Sequence, residues 1–228
     1  LIASGHSPDK IIELLKISYS NNVFKEYTLP YSSIIATTKV IEDAKILSEN
    51  RNIEDLWLPL FTCAVNISTS ELAVLDRGPI WEATRATAAL PGILLPVIKG
   101  DSLLVDGGLI NNMPGDILLD RFGGKLISVS VSPEEGLVAN FDKFPHQGVH
   151  LIKKLLFRSK KSDSNIPNIG DILMRSIMAS SEAKSLEVEK MSDIFLNPKI
   201  DNVGMLEFES IDKSVEMGYS YTMKKLEK

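Results

Sequence analysis

The tripeptide Asp106-Gly107-Gly108 is the part of this sequence most suggestive of chemistry. It follows the apolar run Leu103-Leu104-Val105, which predicts a short buried strand that ends in a carboxylate. In α/β proteins functional groups gather at the carboxyl ends of strands, where a carboxylate can act as a general base. The two glycines would let a ligand or another chain segment approach closely. The alternative is a plain turn, which Asp-Gly often forms, and the tripeptide alone favours that alternative.

A serine nucleophile would usually lie in a G-x-S-x-G elbow, and Gly5-His6-Ser7-Pro8-Asp9 comes close to that pattern. In the elbow, the residue after the serine donates its backbone N–H to the oxyanion. Pro8 has no N–H to donate. A hydroxyl followed by a proline and an acid is instead typical of a helix start. Ser7 is therefore predicted to cap a helix and not to act as a nucleophile.

Other classes of site find little support in the sequence. The three histidines, His6, His146 and His150, lack the spacing of metal ligands, and no glycine-rich nucleotide motif is present. We therefore expect no metal and no cofactor. The net charge of −5 provides no overall positive field for nucleic acid. The single cysteine, Cys63, cannot form an internal disulfide, and its apolar surroundings predict a small buried side chain.

Two further residue types leave alternatives open. Trp57 and Trp81 lie among apolar residues, which favours core packing for both. Arg85 either faces the candidate site or forms a structural ion pair, and the structural role is the favoured interpretation.

The elements that must position Asp106 alternate between strands and helices. Helices are predicted from residue 8 and over 40–47, 78–90, 114–122, 146–158, 169–189 and 210–226, and a polar loop over 50–55. Strands are predicted over 58–67, 71–75, 103–105, 126–131 and 194–196, with a turn at 68–70. This alternation favours an α/β fold whose sheet is mainly parallel and covered by helices on both faces.

The residues around Asp106 resemble patatin-like phospholipases, and within that family the neuropathy target esterase branch. A helix of small residues ends in Leu90-Pro91-Gly92, and a strand then leads into Asp-Gly-Gly-x-x-x-Asn-x-Pro over 106–114. The segments 52–57, 66–68 and 166–168 add to this resemblance, which runs from about residue 52 to about residue 218. It is strongest between Arg85 and Pro114.

The resemblance implies a three-layer α/β/α sandwich and a Ser–Asp dyad that works without histidine. Asp106 takes the role of the family's aspartate, with Gly107 and Gly108 as the rest of its motif. The family's serine elbow and glycine-rich oxyanion loop have no counterpart in this chain. Residues 1–228 are therefore interpreted as one patatin-like hydrolase domain truncated at its N-terminus, a fragment of a longer polypeptide that is inactive by itself.

The implied function is hydrolysis of acyl esters of phospholipids or lysophospholipids. One alternative is a catalytically dead patatin-like domain that binds lipid or a protein partner. Another is an unrelated α/β module with a chance Asp-Gly-Gly turn.

The stretch from residue 150 to 161 suggests a membrane contact. Five basic residues accompany an aliphatic helix face, and Phe157 falls on the basic side, as in an interfacial anchor. A solvated basic face with one stray aromatic is the favoured interpretation. Since no apolar run approaches the ~18–20 residues of a membrane span and no signal peptide is apparent, we expect a cytoplasmic protein with at most peripheral membrane contact.

Overall fold

A computed structural model describes residues 1–20, 33, 35–131, 169–200 and 210–227. Six α-helices lie in these ranges: α1 Pro8–Ser20, α2 Thr37–Leu47, α3 Ile80–Thr87, α4 Gly115–Phe122, α5 Ile169–Met191 and α6 Ile211–Leu226. The helix predicted over 146–158, with Phe157, lies outside the described residues. None of the described helices is long and apolar enough to cross a membrane.

Six strands alternate with these helices, so the predicted α/β class is confirmed. They are β1 Thr62–Asn66, β2 Glu71–Leu75, β3 Val97–Lys99, β4 Ser102–Asp106, β5 Ile127–Val129 and β6 Ile194–Leu196. Four strands form one sheet in the order β2-β1-β4-β3, and β5 and β6 form a second sheet.

The prediction of a mainly parallel sheet differs from what the described strands form. Every pairing in the four-stranded sheet is antiparallel, and only β5 with β6 is parallel. The connections explain part of the difference, because β1–β2 and β3–β4 are joined by loops too short for a parallel crossover. Strand β3, which follows Pro96, was not predicted at all.

The turn between β1 and β2 forms where the sequence predicted it. Ser70 has a positive φ of 62°, and its N–H donates to the carbonyl of Asn66 at 2.7 Å. The side-chain oxygen of Asn66 accepts from the N–H of Ser68 at 3.0 Å. The hairpin therefore places Glu71 opposite Asn66 and fixes the register of β1.

Helix α3 covers one face of the four-stranded sheet. Ala86 of α3 packs with Ala64, Val97 and Leu104 of the sheet, and all four are buried. The helix ends at Thr87, three residues before the predicted end. The carbonyl of Ala89 instead accepts the backbone N–H of Asp106 at 3.1 Å. The end of α3 is thereby tied to the strand that carries the candidate site.

The N-cap predicted for α1 is present, since the N–H of Lys10 donates to the hydroxyl of Ser7 at 3.3 Å. The prediction for Trp57 is wrong, because its side chain is 89% exposed. Its neighbours Leu56 and Leu60 pack against the cluster of Ile53, Ile80 and Ala83, and Trp57 lies outside that cluster. Trp81 is half-buried, with the Lys45 ammonium 4.8 Å from its ring centre.

Replacing Gly115 by alanine should destabilise the fold. A methyl group there would lie 2.5 Å from Val188 Cγ1 and 2.9 Å from Leu126 Cδ2, and both side chains are buried. Overpacking of this kind lowers the free energy of unfolding by about 1–3 kcal/mol. Urea denaturation of Gly115→Ala measures the change.

Gly218→Ala is the matched control, because Gly218 is also helical but has nothing within 4 Å of a built methyl group. Alanine in a helix interior is favoured over glycine by roughly 0.5–1 kcal/mol, so this variant should be as stable as the wild type or more stable. Equal destabilisation by both substitutions would contradict the packing described for Gly115.

Candidate active site

Asp106 is the last residue of β4 and caps the short 3-10 turn Gly107–Leu109. Its backbone lies opposite Ala64 of β1. Its Oδ1 accepts the backbone N–H of Gly108 at 2.7 Å. Among the described residues, no other group donates a hydrogen bond to this carboxylate. Its second oxygen, Oδ2, is therefore available to a donor outside them.

The two positions after Asp106 require glycine because a side chain would not fit there, and not because of unusual backbone angles. A methyl group on Gly107 would lie 2.3 Å from the carbonyl oxygen of Cys63, which no real side chain tolerates. A methyl group on Gly108 would lie 2.8 Å from Asn112 Oδ1 and 3.0 Å from Asp106 Oδ1. Neither glycine has a left-handed φ. Asp106-Gly107-Gly108 is therefore a turn that the packing of β1 against β4 requires at this point.

A cavity of about 440 Å³ opens beside this turn. That volume lies in the range of small-molecule sites. Its wall is mostly apolar, with a few polar groups from the Asp106 turn; it is formed by Phe61, Thr62, Cys63, Thr87, Ala88, Leu90, Asp106, Gly107, Gly108, Asn111, Asn112 and Pro114.

Burial raises the pKa of Asp106 above its ordinary 3.8, and the hydrogen bond from Gly108 lowers it by a smaller amount. The carboxylate is consequently a stronger proton acceptor than a solvated aspartate. Burial also raises the pKa of the neighbouring Cys63 thiol to about 11, aided by the charge of Asp116 and opposed by Arg121. Cys63 is therefore a neutral thiol at physiological pH, as expected for a buried cysteine.

Arg85 and His6 do not line this cavity. Arg85 donates to the carbonyls of Leu95 at 3.1 Å and Pro96 at 3.4 Å, which confirms a structural role, although through carbonyl oxygens. His6 lies 3.6 Å from a carboxylate oxygen of Glu49. His146 and His150 lie outside the described residues. Among the residues described, no group of histidine, cysteine and acidic side chains could hold a metal.

Asn111 also lines the cavity, although no pattern in the sequence predicted a role for it. It is 4% exposed, and its backbone N–H donates to the carbonyl of Gly107 at 2.9 Å. Its side chain donates to Asp116 at 2.9 Å. The only sequence signal is a polar residue five positions from an acid across Pro114, which is too common to single out.

Comparison with known proteins identifies the class to which this site belongs. Residues 1–119 match the model of the patatin-like phospholipase family. That match covers more than half of the chain. The chain therefore belongs to the patatin-like phospholipase family.

The chain is similar to several curated proteins of this family. An uncharacterized NTE family protein of Mycobacterium tuberculosis (strain H37Rv) is 29% identical over 196 residues, which cover 85% of this chain and 33% of that protein. Human patatin-like phospholipase domain-containing protein 6 is 29% identical over 86% of the chain and 14% of its own length. Mouse patatin-like phospholipase domain-containing protein 7 is 30% identical over 86% of the chain and 15% of its own length. The chain thus spans a third or less of each relative.

The pKa of Cys63 predicts its reactivity toward a small alkylating agent. Because the thiolate is the reactive form and the pKa of the Cys63 thiol is about 11, the second-order rate constant with iodoacetamide should still rise about tenfold from pH 9 to about pH 10 and level off only above the pKa. Asp116→Asn should lower the pKa, since the charge of Asp116 helps to raise it. Mass spectrometry of the alkylated chain gives the rates. A plateau near pH 9 in the wild type would contradict this account of the cavity wall.

Proposed function

We propose that this chain contributes the general base, Asp106, to a serine-dependent acyl hydrolase of phospholipids or lysophospholipids. The nucleophilic serine and the oxyanion donors come from a segment of the parent polypeptide that precedes Leu1, and residues 1–228 form the rest of that hydrolase domain. Family membership supports lipid hydrolysis at the level of the class. The particular substrate and the dyad are part of the proposal.

The observation that carries the proposal is the arrangement of the Asp106 carboxylate. It lies at the wall of a cavity, with one oxygen held by the N–H of Gly108 and the other without a donor among the described residues. This arrangement suits a general base. The oxygen bonded to Gly108 fixes the orientation of the carboxylate, and the second oxygen can accept the proton. Burial, which raises the pKa, strengthens that acceptor.

The chemistry follows from this arrangement. Asp106 takes the proton of the serine hydroxyl while the serine oxygen attacks the ester carbonyl, and the negative charge moves to the carbonyl oxygen. The intermediate collapses to an acyl-serine as the alcohol leaves with the proton from Asp106. Asp106 then takes a proton from a water that attacks the acyl-serine, and it returns that proton to the serine oxygen as the second intermediate releases the fatty acid. No metal or cofactor takes part in the proposed steps.

We further propose a cytoplasmic location with peripheral membrane contact near Phe157, a residue outside those described. A catalytically dead domain that binds lipid or a protein partner is the competing function, and the experiment on the full-length polypeptide below separates it from a hydrolase.

The isolated chain is expected to be inactive. It contains no G-x-S-x-G elbow, and Ser7 is engaged as the N-cap of α1. The purified chain should hydrolyse a short-chain nitrophenyl ester no faster than buffer. Turnover above buffer that Ser7→Ala abolishes would overturn both the proposed source of the nucleophile and the structural role given to Ser7.

In the full-length polypeptide, Asp106→Asn should lower kcat/KM by about 10²–10⁴-fold, the usual contribution of a general base. The amide keeps an oxygen for the N–H of Gly108, so the turn should survive. Hydrolysis of a lysophospholipid by the two purified proteins measures the loss. Activity near that of the wild type would show that Asp106 only shapes a turn, and a wild type without hydrolytic activity would favour the lipid-binding alternative.

Stability provides the control for that experiment. A raised pKa means that the folded state binds the Asp106 proton more tightly than the unfolded chain. The associated stabilisation is present at low pH and is lost as the pH rises through the folded-state pKa. At pH 7 the Asp106→Asn variant, which is neutral at this position, should therefore melt at the same temperature as the wild type or above it.

A further inference from the structure

A hydrogen-bonded network joins the Asp106 turn to two helices. Asn111 Nδ2 donates to Asp116 Oδ1 at 2.9 Å. Lys184 of α5 places its ammonium 2.9 Å from Asp116 Oδ2. Asp116 lies in the first turn of α4. The network thus links the segment after β4 to α4 and then to α5.

Asp116 fixes the orientation of the Asn111 amide. Burial raises the pKa of Asp116, but hydrogen bonds from Lys184, Asn111 and the Ile117 backbone, together with the charge of Lys184, lower it by more, so the carboxylate is ionised at neutral pH. An ionised carboxylate only accepts hydrogen bonds, so the amide nitrogen must face Asp116. Asn111 Oδ1 is then directed elsewhere, and it is buried without a donor among the described residues.

The unpaired side-chain oxygen shows that Asn111 contributes through its N–H groups. Asn111 Oδ1 is buried without a donor among the described residues, which destabilises the fold, whereas Nδ2 donates to the ionised Asp116. A leucine of similar shape would avoid the unpaired oxygen but would remove that donor from Asp116. The role of Asn111 therefore depends on the hydrogen bond that its side chain donates.

That role is indicated by the turn to which Asn111 is attached. The N–H of Asn111 bonds to the carbonyl of Gly107, and Gly107 lies against the backbone of Cys63 on its other side. The turn is therefore held between β1 and the Asn111 network. Gly108, in the middle of this turn, supplies the N–H that holds Asp106 Oδ1.

We propose that Asn111, oriented by Asp116 and Lys184, is a positioning residue that keeps the Gly108 N–H on Asp106 and so leaves the second carboxylate oxygen for the nucleophile. This inference rests on the proposed function of Asp106. It assigns the network to the reaction, although neither Asp116 nor Lys184 lines the cavity.

If Asn111 holds the turn in place, its loss should change the pKa of Asp106 in a definite direction. The described titratable groups on the surrounding elements are Cys63 of β1, Glu82 and Arg85 of α3, Asp116, Asp120 and Arg121 of α4, and Glu182, Lys184, Glu187, Glu189 and Lys190 of α5. Burial and the Gly108 hydrogen bond are what shift this pKa, the first upward and the second downward. Releasing the turn removes the downward influence, so the pKa of Asp106 should rise.

The test compares Asn111→Leu and Asp116→Ala with Asp120→Ala, which removes an exposed acid from the same helix. In the full-length polypeptide, the acid limb of the kcat/KM–pH profile should move up by about one pH unit in the first two variants, with kcat reduced about tenfold and KM little changed. The Asp120→Ala variant should behave as the wild type. By Coulomb's law, loss of the negative charge of Asp116 alone would lower the pKa of Asp106. A rise in that pKa in Asp116→Ala therefore distinguishes release of the turn from loss of the charge.

The same pKa is measured without activity by ¹³C NMR titration of the Asp106 carboxyl in this chain, assigned with Asp106→Asn. A higher pKa in Asn111→Leu and Asp116→Ala supports the proposal even if hydrolysis is not found. An unchanged or lower pKa overturns it. Normal loss of activity in Asp106→Asn together with a wild-type profile in Asn111→Leu would overturn this inference and leave the proposed function standing.

Discussion

The close approach between Gly107 and the backbone of Cys63 is the constraint on which the site depends. It occurs where β4 leaves the sheet beside β1, at a separation that excludes even a methyl group. Because the chain passes so close to β1, the turn begins at once and its next N–H reaches back to Asp106. The same constraint places Asp106 and Cys63 on the wall of one cavity. Packing of the sheet thus determines the position of the carboxylate.

Two opposing influences act on that carboxylate, and their balance suits a base. Burial disfavours the charged form, while the N–H of Gly108 favours it, and burial has the larger effect. Without the hydrogen bond the pKa of Asp106 would be higher still, and the carboxylate would be ionised over a narrower pH range. Without burial it would be a weak base. The turn and the cavity therefore act in opposite directions on the same quantity, the pKa of Asp106.

Local pattern predicted much of the fold, and the failures are at non-local features. Glu71–Leu75 and Ile194–Leu196 were predicted with their observed bounds, because turn residues and apolar runs mark such strands. Strand direction depends on connections and partners that periodicity does not encode, and the described strands do not confirm a mainly parallel sheet. The prediction that Trp57 packs in the core was wrong for a similar reason, since its neighbours Leu56 and Leu60 pack against the buried cluster instead. In the candidate site, Asp106 was predicted from its motif and its role stays a prediction, whereas the link from Asn111 through Asp116 to Lys184 joins residues far apart in sequence.

The energetics of the site also weigh on what kind of domain this is. A domain that only bound lipid or a protein would have no use for a carboxylate whose burial raises its pKa, because that charge destabilises the fold at neutral pH. Asn111 adds a second unfavourable feature, a buried oxygen without a donor in the described structure. Both lie within one turn of backbone, beside a mostly apolar cavity. Proteins accept such local losses of stability where function requires them, and the coincidence of two of them at Asp106 favours a site built for proton transfer.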